Sequence, residues 1–263
     1  MSNSLKVLHL TDTHIYSNAE KRLLGVDTHS TLKQLVELSL EKEGTPDLIL
    51  LTGDLSNDET EHSYDRLLEL LEPLQAPIYF LPGNHDSSEN LFAQFAKHKG
   101  KCTVILDRSF VAGSWFVILL DSVIPGKIEG ALVDAELERL DRELGVHAHK
   151  HALVCVHHNP LPVMADANLD LGLKNADRFF EITDRHSHVK AILWGHVHAE
   201  HSSDRKGVML IASPSTCVQF KPEGDGMVVD PMPPAYRTMT LKSEGAIETR
   251  VEWLPTLPAG LQV

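Results

Sequence analysis

Short apolar segments alternate with amphipathic helical patterns along most of this chain, and this alternation constrains the fold more than any other feature. Residues 5–10 form an apolar segment, and apolar side chains then recur between residues 32 and 40 at the 3.6-residue spacing of a helix. The next segment, residues 47–51, is continuously apolar after Asp47, as expected for a strand buried on both faces. The same order is repeated as far as Trp194, so the pattern predicts an α/β fold.

The same reasoning predicts the bounds of the main elements. Asp27 or Thr28 can cap the start of the first helix, and Gly44 can end it. Further helices are predicted over residues 61–71, 132–144 and 175–186, and strands over 5–10, 47–51, 78–81, 115–120, 152–156 and 191–194. Because neither a linker nor a repeat interrupts the pattern, we expect a single domain spanning residues 1–263. Its C-terminal portion, from about residue 205, is predicted to be β-rich, with a loop at the proline-rich stretch 230–234.

Composition and charge exclude several classes of protein. Hydrophobic residues make up 42% of the chain and charged residues 23%, which are globular values, and no apolar run is long enough for a transmembrane helix. The formal net charge of −13 argues against nucleic-acid binding. The N-terminus lacks the pattern of a secretory signal. Three cysteines without a CxxC motif favour free thiols in a reducing cytoplasm over a disulfide framework.

Five of the apolar segments end in a short polar cluster. In open α/β sheets, ligands bind at the carboxyl ends of the strands, which is where all five clusters fall. Alternate residues of an extended chain point the same way, so a pair such as Asp12 and His14 can offer two ligands to one site. A single cluster of this kind is typical of a turn, but five in this order indicate a common site. The clusters are Asp12-x-His14, Gly53-Asp54, Gly83-Asn84-His85-Asp86, His157-His158 and Gly195-His196-x-His198.

The number and type of polar residues in these clusters indicate two metal ions. Seven candidate ligands are more than one ion takes from a protein, whereas two ions that share a carboxylate would use them all. Mixed imidazole and carboxylate ligands suit zinc, iron or manganese better than calcium. Two such ions can clamp a phosphoryl centre and activate water. The candidate ligands are Asp12, His14, Asp54, Asn84, His157, His196 and His198.

This series of motifs resembles the calcineurin-like metallophosphoesterase superfamily and, within it, the class III cyclic nucleotide phosphodiesterases. The segment 214–222, with the sequence PSTCVQFKP, is similar to the bacterial enzymes that hydrolyse 3′,5′-cyclic AMP, as are the segments 24–26 and 236–238. The resemblance covers the chain from about Val7 to Val251. It implies a four-layer fold, in which two mixed β-sheets pack as a sandwich flanked by helices.

The resemblance also implies roles for individual residues. One Fe²⁺, Mn²⁺ or Zn²⁺ ion would be held by Asp12, His14, Asp54 and His198, and a second by Asp54, Asn84, His157 and His196, with Asp54 bridging the two. His85 would be the catalytic residue, facing the phosphate as general acid or transition-state stabiliser. The implied reaction is hydrolysis of cyclic AMP, or of other cyclic nucleotides, to the 5′-monophosphate by attack of a hydroxide between the ions. Substrate contacts are expected from His14, Asp54, Asn84, His85, His157 and His198.

Two alternatives to this function stay open. The same site could hydrolyse a broader set of small diesters, such as glycerophosphodiesters. A non-enzymatic scaffold is disfavoured, because a binding module has no reason to keep seven metal ligands. As partners we expect a small-molecule substrate but neither nucleic acid nor membrane, and a monomer or homodimer.

The sequence also suggests non-ligand roles for several residues near these motifs. We expect a structural role for His158, a solvated loop at His147, His149 and His151, a packed thiol at Cys217, and surface positions for Arg22 and Arg237.

Overall fold

The computed structural model describes residues 4–98, 103–162, 171–224 and 226–263. Within these ranges the strands are β1 (Leu5–Leu10), β2 (Leu48–Thr52), β3 (Ile78–Leu81), β4 (Val104–Ile105), β5 (Ser109–Ala112), β6 (Trp115–Leu120), β7 (His151–Val156), β8 (Val189–Trp194), β9 (His201–Arg205), β10 (Val208–Ala212), β11 (Gln219–Glu223), β12 (Gly226–Asp230), β13 (Ala235–Leu241) and β14 (Ile247–Trp253). Each of the six predicted strands is confirmed within two residues. The predicted loop at 230–234 is also confirmed, because β12 ends at Asp230 and β13 begins at Ala235.

The described helices are α1 (Thr28–Glu43), α2 (Glu61–Leu71), α3 (Ser88–Lys97), α4 (Asp134–Val146) and α5 (Ala176–Thr183), with a 3₁₀ turn at Glu72–Leu74. The predicted caps of α1 are confirmed: the Asp27 side chain accepts from the Ser30 N–H, and Gly44 ends the helix at φ 70°. Helix α4 begins two residues later than predicted. Helix α5 ends three residues earlier than His186, because the chain tightens there into three-residue turns, with Arg185 N–H donating to the Ile182 carbonyl. No helix in the described ranges is long and apolar enough to cross a membrane.

The strands form two large mixed sheets. The first has the order β14-β13-β1-β2-β3-β4 and the second the order β5-β6-β7-β8-β10-β9. Strands β1 to β4 of the first sheet and β6, β7, β8 and β10 of the second are parallel to one another. Strands β13 and β14, at one side of the first sheet, and the edge strands β5 and β9 of the second pair antiparallel. Strands β11 and β12 form a separate hairpin, residues 219–230, that belongs to neither sheet.

Three apolar cores hold these elements in four layers. Helices α1, α2 and α3 pack on the outer face of the first sheet, in a core that includes Leu32, Leu67 and Phe95. Helices α4 and α5 cover the outer face of the second sheet. The third core lies between the sheets and joins Leu50 of β2 to Leu193 of β8. This arrangement confirms the predicted sandwich of two mixed sheets flanked by helices.

A buried polar network closes the core between the sheets at the end where β1 and β2 terminate. Arg237 Nε donates to Ser213 Oγ at 2.9 Å, and the same hydroxyl is hydrogen-bonded to His9 Nδ1 at 2.7 Å. The other ring nitrogen of His9, Nε2, is hydrogen-bonded to Thr52 Oγ1 at 2.7 Å. The expectation of a surface position for Arg237 is therefore wrong, since only 2% of it is exposed. The reason is that β13 lies inside the sheet, between β1 and β14, with Arg237 paired to His9.

Two further predictions, for Arg22 and Cys217, are confirmed. Arg22 is exposed, and its guanidinium donates to the carbonyls of Ala19 and Lys21. Cys155 and Cys217 are free and buried, whereas Cys102 lies outside the described residues.

The solvated loop expected at His147, His149 and His151 is only partly present. His149 is exposed, but the half-buried His147 stacks on Phe116 with ring centroids 4.2 Å apart. His151 is the first residue of β7 and is also half-buried.

We predict that His9 makes the protein less stable in acid. Burial, and secondarily the charge of Arg237, lowers the pKa of His9 to about 3, so this residue stays neutral in the folded protein. In the unfolded chain it titrates near its ordinary pKa of about 6.5. The unfolded state therefore binds more protons as the pH falls, and His9 alone should lower the free energy of unfolding by about 2 kcal/mol between pH 7 and pH 5. Urea denaturation of the wild type and His9→Gln at both pH values measures this difference.

In His9→Gln the free energy of unfolding should not show this fall between pH 7 and pH 5, whatever its value at pH 7, because the glutamine side chain does not titrate. His149→Gln, at an exposed position, should keep the wild-type pH dependence. The same pH dependence in all three proteins would contradict the neutral, buried state of His9.

Candidate metal centre

The carboxyl ends of five strands meet at one end of the sandwich, and the structure brings the seven predicted ligands together there. Asp12 and His14 follow β1, Asp54 follows β2 and Asn84 follows β3. His157 follows β7 of the other sheet, and the pair His196 and His198 follows β8. Both sheets therefore contribute side chains to the same site.

The first group of candidate ligands comprises Asp12, His14, Asp54 and His198. All four are buried, and one potential ligand atom from each lies within 4.8 Å of the others. His14 Nε2 is 3.1 Å from His198 Nε2, so two imidazole nitrogens face each other. Asp12 Oδ1 is 3.3 Å from His198 Nε2, and Asp54 Oδ2 is 3.7 Å from His14 Nε2. These four side chains could hold one metal ion.

The second group lies on the other side of Asp54. Its Oδ1 atom is 3.3 Å from His157 Nε2, and Asn84 Oδ1 is 3.2 Å from the same nitrogen. His196 Nδ1 is buried and has no hydrogen-bond partner within the described part of the chain. Asp54 thus presents one carboxylate oxygen to each group.

His158 also has a ring nitrogen close to His157 and His196. Both of its nitrogens are already engaged, however: Nδ1 bonds to Ser122 Oγ at 2.7 Å, and Nε2 donates to the Ile128 carbonyl at 3.0 Å. His158 therefore has no free nitrogen for a metal ion, in agreement with the structural role expected for it.

Each of the four candidate histidine ligands has one ring nitrogen fixed by an oxygen acceptor, which turns its other nitrogen into the site. Such partners set the tautomer and orientation of metal-binding histidines. Three of the acceptors are main-chain carbonyls and one is the side chain of Asn57, and no sequence pattern predicts any of them. The pairs are His14 Nδ1 with Asn57 Oδ1 at 3.0 Å, His157 Nδ1 with Thr52 O at 2.7 Å, His198 Nδ1 with Val218 O at 2.6 Å, and His196 Nε2 with Leu171 O at 3.0 Å.

Most of the candidate ligands also have an unusual backbone. Five of them have φ between 45° and 67°, a left-handed conformation that costs an L-residue on the order of 1 kcal/mol. Residues in this region cluster at functional sites, where the surrounding structure holds them. The five are Asp12, His14, Asp54, His196 and His198.

Gly83 is needed for the close approach of the loops after β2 and β3. A Cβ atom at this position would lie 2.2 Å from Asp54 Oδ1 and 2.3 Å from the Asp54 nitrogen. Any side chain at this position would therefore force the two loops apart.

The electrostatics of the groups suit a divalent cation. Burial would raise the pKa of Asp54, but the neighbouring His157 and His14 hold it well below the usual value. Burial would likewise lower the pKa of His157, but the Asp54 carboxylate raises it to about 9. Burial lowers the pKa of His14 to about 3 and that of His196 to about 4, so these two imidazoles are neutral near pH 7. Neutral imidazole and ionised carboxylate are the forms that bind metal ions, so Asp54, His14 and His196 are ready to bind. A cation would have to displace a proton from His157, and likewise from His198, whose pKa the Asp12 carboxylate raises against the effect of burial.

Asp86 ties two of the ligand loops together, a role that the sequence did not suggest. Its carboxylate accepts from the main-chain N–H groups of Leu55, Ser56 and Gly83, at 3.0, 3.0 and 2.9 Å, and from the Tyr64 hydroxyl at 3.1 Å. The Asp54 loop and the Gly83–Asp86 loop are thereby fixed to one another. A further bond, from His85 N–H to Asp54 Oδ1 at 2.8 Å, joins the same loops.

The two groups open into a cavity of about 330 Å³. His85 lines it, is exposed to solvent, and contacts His14 edge to face with ring centroids 4.9 Å apart. Its side chain diverges from that of Asn84, which faces His157. Beyond these polar residues, most of the wall is apolar and includes Leu23, Ile128, Leu171, Phe220 and Met227.

A buried cluster of this composition, at the strand ends of a four-layer sandwich, defines a metal-dependent phosphoesterase. The sequence model of the calcineurin-like phosphoesterases matches residues 5–200, and the chain belongs to that family. It is 36% identical over 248 residues to the 3′,5′-cyclic adenosine monophosphate phosphodiesterase CpdA of Pseudomonas aeruginosa, covering 94% of this chain and 89% of that protein. It is 33% identical to a 3′,5′-cyclic-nucleotide phosphodiesterase of Nostoc, over 95% of this chain and 93% of the relative.

Solved structures agree on the fold. A dimetal phosphatase from Danio rerio superposes with a TM-score of 0.66 at 14% identity, covering 95% of this chain and 98% of that one. At this level of identity the comparison establishes a shared architecture, and the family assignment comes from the sequence.

We predict that Asp86→Asn weakens metal binding although Asp86 is not a candidate ligand. The amide nitrogen cannot accept hydrogen bonds, so at least one main-chain N–H would lose its partner and the two loops would loosen. Loss of such outer partners typically lowers metal affinity about 10- to 100-fold. Titration of the metal-free protein with Mn²⁺, followed by calorimetry, measures the change.

Tyr64→Phe is the matched control, because it removes one donor to Asp86 and keeps the three main-chain contacts. Its effect on affinity should be several-fold smaller. An Asp86→Asn variant that binds Mn²⁺ as tightly as the wild type would refute the proposed link between the loops.

Proposed function

We propose that this protein is a 3′,5′-cyclic-nucleotide phosphodiesterase that hydrolyses cyclic AMP to the 5′-monophosphate with the help of two divalent metal ions. The observation that carries the proposal is the division of the candidate ligands into two groups that share Asp54, at the mouth of a largely apolar cavity. The identity of over 30% to cyclic-nucleotide phosphodiesterases, across nearly the whole of this chain, supports this substrate class.

The proposed ligand sets are those implied by the sequence. Asp12, His14, Asp54 and His198 would hold one ion, and Asp54, Asn84, His157 and His196 the other. The unpartnered Nδ1 atom of His196 and the facing Nε2 atoms of His14 and His198 support these assignments. Bound Fe²⁺, Mn²⁺ or Zn²⁺ ions would neutralise phosphate charge and lower the pKa of water.

The chain's own contribution to the reaction is to orient the diester and to supply a proton. His85 is at the cavity edge and is not drawn into either ligand group, so it can face the 3′ oxygen of the ribose. Water adds to phosphorus and loses a proton to solvent as the bond from phosphorus to the 3′ oxygen breaks. His85 donates a proton to that oxygen to give the 3′ hydroxyl and is then reprotonated by solvent. The carbonyl of Thr52 and the Asn57 amide keep His157 and His14 oriented throughout.

The proposal also covers the domain organisation, location, substrate type and assembly state of the protein. Residues 1–263 act as one domain, since the cores between and around the sheets include residues from β1 to β14. We place its activity in the cytoplasm, which the free thiols of Cys155 and Cys217 support. The net charge of −13 favours a small-molecule substrate over nucleic acid or membrane, and the protein is proposed to act as a monomer or homodimer.

We predict that Asp54→Asn loses at least one metal ion. The substitution keeps the shape of the side chain but removes the negative charge that both groups share. Metal analysis after dialysis should fall from two ions per chain to one or fewer, and turnover of cyclic AMP should fall by several orders of magnitude. The control is Asp58→Asn, a carboxylate on the same loop that bonds to Ser17. Two tightly held ions in the Asp54 variant would overturn the bridging assignment.

We predict that His85→Ala slows the reaction and leaves the metal content unchanged. A positioned acid contributes about 10²- to 10⁴-fold to the rate, so cyclic AMP turnover should fall by that factor. The loss should be smaller with bis(p-nitrophenyl) phosphate, whose leaving group needs no proton. Steady-state rates on both substrates, with metal analysis alongside, make the comparison, and His149→Ala is the control. Equal losses on the two substrates would assign His85 to charge stabilisation instead of acid catalysis.

A further inference from the structure

The hairpin of β11 and β12 forms one wall of the cavity and also contacts a candidate ligand. Phe220 and Met227 both line the cavity. Phe220 pairs with Val229 and Pro222 pairs with Met227, so these four side chains share one face of the hairpin. Phe220 and Met227 therefore present a continuous apolar surface, which Leu23 extends from the loop after β1.

This wall stands directly beside the first group of candidate ligands. The Phe220 ring lies 4.8 Å from the imidazole of His198, centroid to centroid, at an angle of 37°. The Phe220 N–H donates to the His198 carbonyl at 3.2 Å, and the Val218 carbonyl accepts from His198 Nδ1 at 2.6 Å. A phosphate held at the ligand groups would therefore have the half-buried Phe220 ring as a neighbour.

The hairpin is fixed at its base, so the position of this ring is defined. The Gln219 side chain accepts from the Ser215 N–H at 2.9 Å and donates to the Ser215 carbonyl at 2.8 Å. Phe220 and Leu23 also pack against a small buried cluster of Val26, Cys217 and Val218. The ring is thus part of a preformed site, which lowers the entropic cost of binding a ligand against it.

We infer that Phe220, with Met227 and Leu23 beside it, is the platform on which the base of the nucleotide stacks. Among the described residues that line the cavity, Phe220 supplies the only phenyl ring, whereas others, such as Ile128 and Leu171, are aliphatic. Every nucleobase has a π-face that stacks on an aromatic ring, so this wall recognises a base and has little to offer a diester that lacks one. The inference rests on the proposed function, since it assumes that the phosphate binds at the candidate metal centre.

The test compares the affinities of the metal-loaded protein for two phosphate ligands, one with a base and one without. Adenosine 5′-monophosphate and ribose 5-phosphate carry the same phosphate and sugar, and only the first carries a base. Isothermal titration should show tighter binding of the nucleotide by about five- to a hundredfold, the usual contribution of one stacked base. Phe220→Leu should remove most of this ratio without changing the affinity for ribose 5-phosphate, and Phe220→Tyr should restore it. Val228→Ala, on the other face of the hairpin, is the matched control.

Cyclic AMP turnover is measured on the same variants, and Phe220→Leu should raise KM and leave kcat close to the wild-type value. If Phe220→Leu loses metal through its contact with His198, Met227→Ala decides the question, because it should lower the affinity ratio several-fold with both ions in place. A ratio near one in the wild type, or a ratio unchanged in these variants, would overturn the platform and leave the phosphodiesterase proposal standing. A ratio that depends on Phe220, in a protein that does not hydrolyse cyclic AMP, would support the platform and refute the activity.

Discussion

The site depends on the contacts of the Asp54 carboxylate, because this group lies between histidines that follow strands of different sheets. Its two oxygens face His14, after β1, and His157, after β7. An isolated buried carboxylate would cost several kcal/mol of desolvation. Here the His85 N–H and two imidazoles surround it, and a divalent cation on each side would compensate it further. The two sheets therefore have to meet in one register for this charge to be tolerated.

That requirement explains why the loops of the site are so heavily constrained. Five candidate ligands adopt left-handed backbone conformations, and each is disfavoured by itself. The Asp86 carboxylate holds two of the loops through three main-chain N–H groups, and main-chain carbonyls fix three of the histidine rings. Because the rigid sandwich supplies these contacts, the strained loops keep their geometry without help from the substrate.

The sequence predicted the parts of this structure that depend on local patterns. The strands that precede Asp54 and His157 contain continuous apolar runs, the strand that precedes Asp12 is mostly apolar, and the ends of all three place polar residues at a single edge. The partners that orient those residues could not be predicted from the sequence. The carbonyl that bonds to His198, for example, belongs to Val218, 20 residues later in the chain, and a main-chain carbonyl is present at every residue. Arg237 was misplaced for a related reason. Nothing in its local sequence reveals that β13 pairs between β1 and β14, or that Ser213 approaches from the other sheet.

The order of the ligands along the chain has a consequence for folding. The first candidate ligand, Asp12, and the last, His198, are separated by almost the whole α/β portion, and Val218 and Phe220 come later still. Contacts of such long sequence separation cost more loop-closure entropy than local ones, so the site depends on the fold of nearly the whole chain. Any affinity of the finished site for divalent cations therefore stabilises the folded chain as a whole, since the unfolded chain contains no comparable site. The hairpin of β11 and β12 lines the cavity, and the chain at its base bonds to His198. This contact couples the surface proposed to hold the base to the residues proposed to hold the metal ions.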